Sequence, residues 1–172
     1  FGNWNYLDNP TGQYKAESQS QATVTETLYI KDLKVADAPQ SQLAYALSVF
    51  PIQGLYVRGQ GRTYWNHYAA FDPIDRTEEP EPGKGPPQSW KAPGYTVFDL
   101  HTSYRIGDLI PVWRGGDVRV FANIYNVLDE LYIQDATDNS QYNGFDGDHD
   151  ADDAEVYLGW PRTFNLGFEI GF

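Results

Sequence analysis

The final stretch of the chain constrains its fold more than any other. Phe164, Leu166, Phe168, Ile170 and Phe172 fall on one face of an extended backbone, and Thr163, Asn165, Gly167, Glu169 and Gly171 fall on the other. A side-chain period of two belongs to a β-strand. A strand with one wholly apolar face and one polar, glycine-rich face fits between two different media. These are hydrocarbon and a wet lumen, or a protein core and water. The apolar stripe runs out to an aromatic last residue, where a soluble domain tends to fray into polar residues. This favours the lipid alternative and predicts the closing strand of an outer-membrane β-barrel.

Aromatic residues make up 16% of the chain, with 13 Tyr, 9 Phe and 5 Trp, a supply that suits the interfacial girdles of such a barrel. With no Cys there is no disulfide framework, thiolate metal site or thiol nucleophile. No run approaches the ~20 consecutive apolar residues of a membrane-spanning helix. A formal net charge of -12 with scattered basic residues argues against nucleic acid as a partner. The chain lacks Met and begins Phe1-Gly2-Asn3-Trp4, which reads as the C-terminal part of a longer polypeptide.

Alternation elsewhere predicts six strands, over residues 1–7, 40–50, 55–69, 94–106, 117–133 and the closing segment. The residues between strands one and two (9–39), three and four (72–93) and five and six (134–155) form long polar connections. Those after strands two and four are short. Alternating short and long connections are the pattern of an up-and-down barrel with periplasmic turns and extracellular loops. Six strands cannot close one, because the smallest have eight and an open edge in lipid leaves backbone groups unsatisfied. The fold expected is therefore all-β, a set of antiparallel strands from a larger transmembrane barrel.

Three motifs in order carry a family likeness. They are Gly94-Tyr95-Thr96-Val97-Phe98-Asp99-Leu100, then Asn126-Val127-Leu128-Asp129-Glu130-Leu131-Tyr132, then Pro161-Arg162-Thr163-Phe164 with the terminal Phe172. Together they resemble the C-terminal barrel strands of TonB-dependent receptors, with Asn126-Val127-Leu128-Asp129 standing for the commoner Asn-Leu-Phe-Asp. Asp37-Ala38-Pro39-Gln40 and Pro51-Ile52-Gln53-Gly54-Leu55 look more like the Bacteroidetes versions. The resemblance implies a 22-stranded barrel around an N-terminal plug, in the outer membrane of a Gram-negative cell. It implies import of a scarce ligand such as a siderophore, glycan, peptide or cobalamin, energised by the TonB complex. Plug, TonB-contacting segment and remaining strands would precede Phe1. The partners implied are outer-membrane lipid, those missing parts and the barrel-assembly machinery, which would read Phe164, Phe168, Ile170 and Phe172.

Candidate chemistry is sparse, and no enzyme is expected. Asp99, His101 and Arg105 share a strand face, but no Gly-x-Ser-x-Gly elbow accompanies them, so a polar wall facing the lumen or plug is the expected reading. Arg58 and Arg62 would hold an anionic solute or, more simply, pair with plug carboxylates. Asp146, Asp148, Asp150 and Asp152 alternate as in calcium loops. Ala151 and Tyr157 stand where an EF-hand needs Gly and Glu, which leaves a solvated acidic loop ahead of another calcium geometry. No Lys or Arg lies between Arg119 and Arg162, so the acids there read as uncompensated and the loop as mobile without divalent ions. Two rival functions share parts of this pattern. One is a passive porin-like barrel; the other is a secreted β-sandwich that binds carbohydrate through its aromatics.

Overall fold

The computed structural model describes residues 4–15, 23–106 and 117–171, and the protein is all-β. Twelve strands follow in order: β1 Thr11–Lys15, β2 Thr23–Thr27, β3 Ser41–Val49, β4 Leu55–Trp65, β5 His67–Tyr68, β6 Ala70–Phe71, β7 Lys91–Ala92, β8 Tyr95–Arg105, β9 Asp117–Tyr125, β10 Ile133–Asp138, β11 Ala154–Leu158 and β12 Thr163–Gly171. Among the described residues helix is confined to short 3-10 turns, and no helix is long and apolar enough to cross a membrane. The chain divides into two compact units.

One unit gathers residues 42–64, 95–132 and 158–172 around an antiparallel sheet of order β12-β9-β8-β4-β3. Its register opposes Gly61 to Phe98, Leu100 to Ile124 and Ile124 to Phe164. Directly opposed residues project to the same side. One face therefore collects Tyr45 and Leu47, Val57, Gly59 and Gly61, Phe98 and Leu100, Val120, Ala122 and Ile124, and Phe164, Leu166, Phe168 and Ile170. No charged residue lies on that face in any of the five strands. The opposite face carries Arg58, Gln60, Arg62, Asp99, His101, Arg105, Arg119, Asn123, Asn165 and Glu169.

Some of this sheet's most exposed side chains are apolar, and one of its most buried is a carboxylate. Leu166 is 77% exposed and Phe168 72%, whereas Asp99 on the polar face is 3% exposed. Burying such a side chain is worth ~1.5–3 kcal/mol, and large contiguous apolar patches mark surfaces that bind a membrane or a partner.

Among the described residues the sheet has five strands, not the predicted six, and no closed barrel is seen. Residues 1–3 of the predicted first strand lie outside the described residues. Trp4 and Tyr6 hydrogen-bond instead to a neighbouring segment, with Tyr6 N–H donating to Leu33 O at 3.0 Å and Val35 N–H to Trp4 O at 3.0 Å. That segment supplies the backbone partners, and a single bridge, Asn5 to Lys34, is all the ladder that forms. The predicted third strand ends at Trp65 because Asn66 takes φ 56°, and the fifth ends at Tyr125 because Asn126 takes φ 51°. A left-handed residue breaks the extended ladder, and Asn tolerates it better than most. The short connection after β8 and the terminal Phe172 fall outside the described residues.

The other unit gathers residues 1–41, 65–94 and 133–157, most of the long connections. They are not structureless. β1 pairs with β2, β5 with β7, and β6 and β11 flank β10. Its core is small, with Leu33, Ala69, Ala92 and Ala136 the most buried apolar side chains.

Candidate functional site

Asp99 organises the polar face of the sheet. Its Oδ2 accepts from Gln60 Nε2 at 3.0 Å and Arg62 Nη2 at 2.8 Å, and its Oδ1 accepts from the Asn126 backbone N–H at 3.0 Å. A buried carboxylate needs this many donors to offset its lost hydration. Asn126 extends the network. Its amide donates to Glu130 O at 2.9 Å and Trp160 O at 3.1 Å and accepts from Glu130 N–H at 2.9 Å. Asp129, at φ 57°, then accepts from the Arg162 backbone N–H at 2.9 Å. The Asn126–Asp129 and Pro161–Arg162 motifs thus fasten the end of β9 to the start of β12, which is a structural task.

The sequence candidates on this face do not converge as a catalytic cluster. Asp99 turns to Arg62 across the strands, His101 Nδ1 meets Asn123 Oδ1 at 2.9 Å, and Arg105 Nε lies 3.3 Å from Asp117. Residues two apart on a strand are further from each other than from cross-strand neighbours, so cross-strand pairing wins. Asn123 continues to Asn165 Oδ1 at 3.3 Å, and Arg119 pairs with Glu169. Arg58 differs. It stands opposite His101 and beside the Tyr56 hydroxyl, and among the described residues it forms no ion pair with a carboxylate. Its side chain bonds the Tyr56 hydroxyl instead.

No family model, curated protein or solved structure matches this chain. Chemistry within the molecule is therefore what its sites must be judged on.

The loop unit contains a buried ionic cluster that sequence spacing does not reveal. Arg76, 2% exposed, donates to Pro87 O at 3.0 Å, Ser89 Oγ at 3.2 Å and Asp138 Oδ2 at 3.4 Å, and its guanidinium lies 4.9 Å from the centre of the Phe71 ring. Burial pushes its pKa down, yet an Arg side chain keeps its proton in a protein. His149 completes the cluster, with Nδ1 2.8 Å from Asp138 Oδ2 and 2.7 Å from Ser140 Oγ, and Nε2 3.2 Å from Arg76 Nη1. Arg76 Nη2 also lies 3.5 Å from Nδ1, so the guanidinium lies against both ring nitrogens and does not fix the tautomer. A hydrolytic triad places serine and carboxylate on opposite ring nitrogens. Here Ser140 and Asp138 both meet Nδ1, so that arrangement is not formed.

Within the acidic loop Asp138 meets a cation, Arg76, 62 residues earlier and so from a different connection. Desolvation and neighbouring carboxylates raise the pKa of Asp148, and the hydrogen bond to Asp150 and neighbouring carboxylates raise that of Asp152, the mark of charge that no cation offsets there. The loop's own groups satisfy others. Asp153 accepts from His149 N–H at 2.7 Å and Asn143 Nδ2 at 2.7 Å, and Asp150 accepts from Asp152 N–H at 2.9 Å.

Of the calcium candidates, Asp146, Asp148 and Asp152 bring one oxygen each within 4.8 Å of one another, all exposed, and Asp150 is not among them. Sharing a proton with Asp150, together with the surrounding negative charge, raises the pKa of Asp152 to about 6. Exposed acids gather in this way without any ion.

Proposed function

We propose that this chain is part of the transmembrane barrel of a TonB-dependent receptor in the outer membrane of a Gram-negative bacterium. It would act there as a transporter rather than an enzyme. The observation that carries this reading is the sheet's apolar, uncharged face, open at Phe164, Leu166 and Phe168, set against a polar face that holds the buried Asp99. Lipid is the medium that rewards this arrangement. The outer edges of β3 and β12 bond to no further strand among the described residues. In hydrocarbon each would need another strand beside it, which the rest of a 22-stranded barrel would supply. The three motifs that resemble the receptor family lie in β8, at the end of β9 and at the start of β12.

On this reading the polar face lines a lumen occupied by a plug. Arg58 would meet an anionic group of the passing solute or of the plug itself. Energy would come from the TonB complex acting on the plug. No resident cofactor is required.

The test uses the full-length protein in its own cell envelope. It is expected in the outer-membrane fraction as a heat-modifiable band, with ligand uptake abolished when TonB is removed. Uptake that survives loss of TonB would point to a passive pore. Recovery as a soluble sugar-binding protein would end the membrane reading.

A further inference from the structure

The apolar face of the sheet is interrupted at one place. Gly59 and Gly61 sit side by side along β4, so two consecutive positions on that face bear no side chain. They are treated differently. The Tyr45 ring lies where a Cβ on Gly61 would project, and it meets the Phe98 ring edge-on with centroids 6.2 Å apart, roofing Gly61 from β3 to β8. Over Gly59 nothing comes within 4 Å of the Cβ position. The result is a furrow of about 440 Å³ floored by Gly59, walled by Leu47 and Leu100 and stopped by the Tyr45–Phe98 pair.

The dimensions and chemistry of this furrow select its occupant. β3 and β8 flank β4, so their backbones stand two strand spacings apart, ~9.5 Å, before their side chains narrow the gap. An α-helix with its side chains is ~10–12 Å across and cannot enter. A stable interface with a second copy needs upward of ~1,000 Å² of buried surface, far more than so small a furrow offers. Asp99 is the one charged residue at the furrow, and its carboxylate is held on the other face by Gln60 and Arg62, so a sugar, phosphate or carboxylate would find no free ionic partner there. A single hydrocarbon chain meets every constraint, because it is narrow, flexible and apolar along its length.

We propose that the Gly59 furrow is a fixed seat for one acyl chain of a phospholipid, with the chain's end resting against Tyr45 and Phe98. This rests on the membrane reading above and adds to it a specific lipid contact in place of a uniform lipid-facing wall. Gly59 is the determinant, since a Cβ there meets nothing within 4 Å and a side chain would start into the furrow.

The experiment compares the wild-type full-length protein with its Gly59→Ile variant, both extracted from native membranes in mild detergent. Phospholipid retained per protein is read by native mass spectrometry. The wild type is expected to keep one phospholipid, and Gly59→Ile to lower that occupancy at least tenfold while keeping the heat-modifiable folded band. Equal retention by the two folded proteins, or none by the wild type, would overturn the proposal and leave the barrel reading intact. If Gly59→Ile gives no folded protein, Gly59→Ala decides by the same comparison. A protein absent from the membrane fraction would instead end the barrel reading itself.

Discussion

In the five-stranded sheet, Asp99 is 3% exposed while Leu166 is 77% exposed; in the loop unit, Leu33 is 1% exposed while Asp146, Asp148 and Asp152 open to solvent. The loop unit keeps Ile30, Leu33 and four alanines inside, although Leu7 and Phe145 stay exposed, and its buried Asp138 carboxylate meets Arg76, His149 and the Ser140 backbone N–H. The sheet opens the apolar side chains of one face, although Val97 and Val118 are buried. Tyr content does not separate the two regions, with six in the loop unit and seven in the sheet unit, although 18 of the 24 acids fall in the loop unit. What separates them further is where the apolar side chains point. A stretch of chain declares its solvent by the facing of its residues more than by their number.

The largest expected effect tests the loop unit. Replacing Arg76 by Gln leaves Asp138 buried without its cation, which costs ~3–5 kcal/mol in comparable breaks of buried pairs. Hydrogen exchange should rise across residues 72–93 and 134–155 and stay unchanged in β8, β9 and β12. Loss of protection in the sheet as well would mean that the two regions do not respond separately.

A smaller effect tests the sheet. Arg at Leu166 should cost ~2–4 kcal/mol in folding from denaturant into bilayers if that position lies near the membrane midplane, and Arg at Asn165 ~0–1 kcal/mol. Matching penalties at these adjacent positions would show that both faces meet the same medium.

Next comes the fastening of β9 to β12. Asn126→Ala removes three hydrogen bonds and places a less tolerant residue at positive φ, for an expected loss of ~1–3 kcal/mol. Asn126→Gly restores the backbone freedom but not the bonds and should recover only part of it. Denaturant midpoints of the three proteins should therefore order as wild type, Gly, Ala.

The smallest effect concerns His67, 4% exposed, with neither ring nitrogen hydrogen-bonded and Asp135 Oδ1 3.8 Å from Nε2. Burial lowers its pKa, more than the charges of Asp135 and Asp37 raise it. The fold therefore favours the neutral ring. Its contribution is complete above the ordinary imidazole value, ~6.5, and declines as pH falls through the lower folded-state value. Loop-unit protection in hydrogen exchange should weaken on acidification below that range, and His67→Phe should remove that part of the pH dependence. Persistence of the full dependence in His67→Phe would assign it to the carboxylates.

The facing of the sheet was legible because strand periodicity is local. Leu43 to Val49, Leu55 to Trp65 and Phe164 to Ile170 carry their pattern within a few residues. Strand ends were harder to read, because the left-handed turns at Asn66 and Asn126 depend on side chains of Asn, a residue that also occurs within strands. The first predicted strand failed for another reason. Alternation in residues 4–7 says that they are extended but not which segment supplies their partners. Of the candidate residues, Arg62 and Asp99 proved to be each other's partners, a fact set by register between β4 and β8. The Arg76, Asp138 and His149 cluster joins three points distant in sequence, and no spacing rule brings them together. Its one available signal was an Arg among acids and prolines.

The central claim is that the apolar face of this sheet meets hydrocarbon while its polar face meets water. The chain has no native Cys, so single cysteines can be placed from Thr163 to Ile170 in the full-length protein, freed of any cysteine elsewhere, and spin-labelled in bilayers. Collision with oxygen, which concentrates in lipid, should peak at residues 164, 166, 168 and 170. Collision with a water-soluble nickel chelate should be highest at residues 163, 165 and 169, Gly167 being left out because the Phe121 ring fills its Cβ position. Uniform accessibility along β12, or high chelate collision at Leu166 and Phe168, would contradict the account.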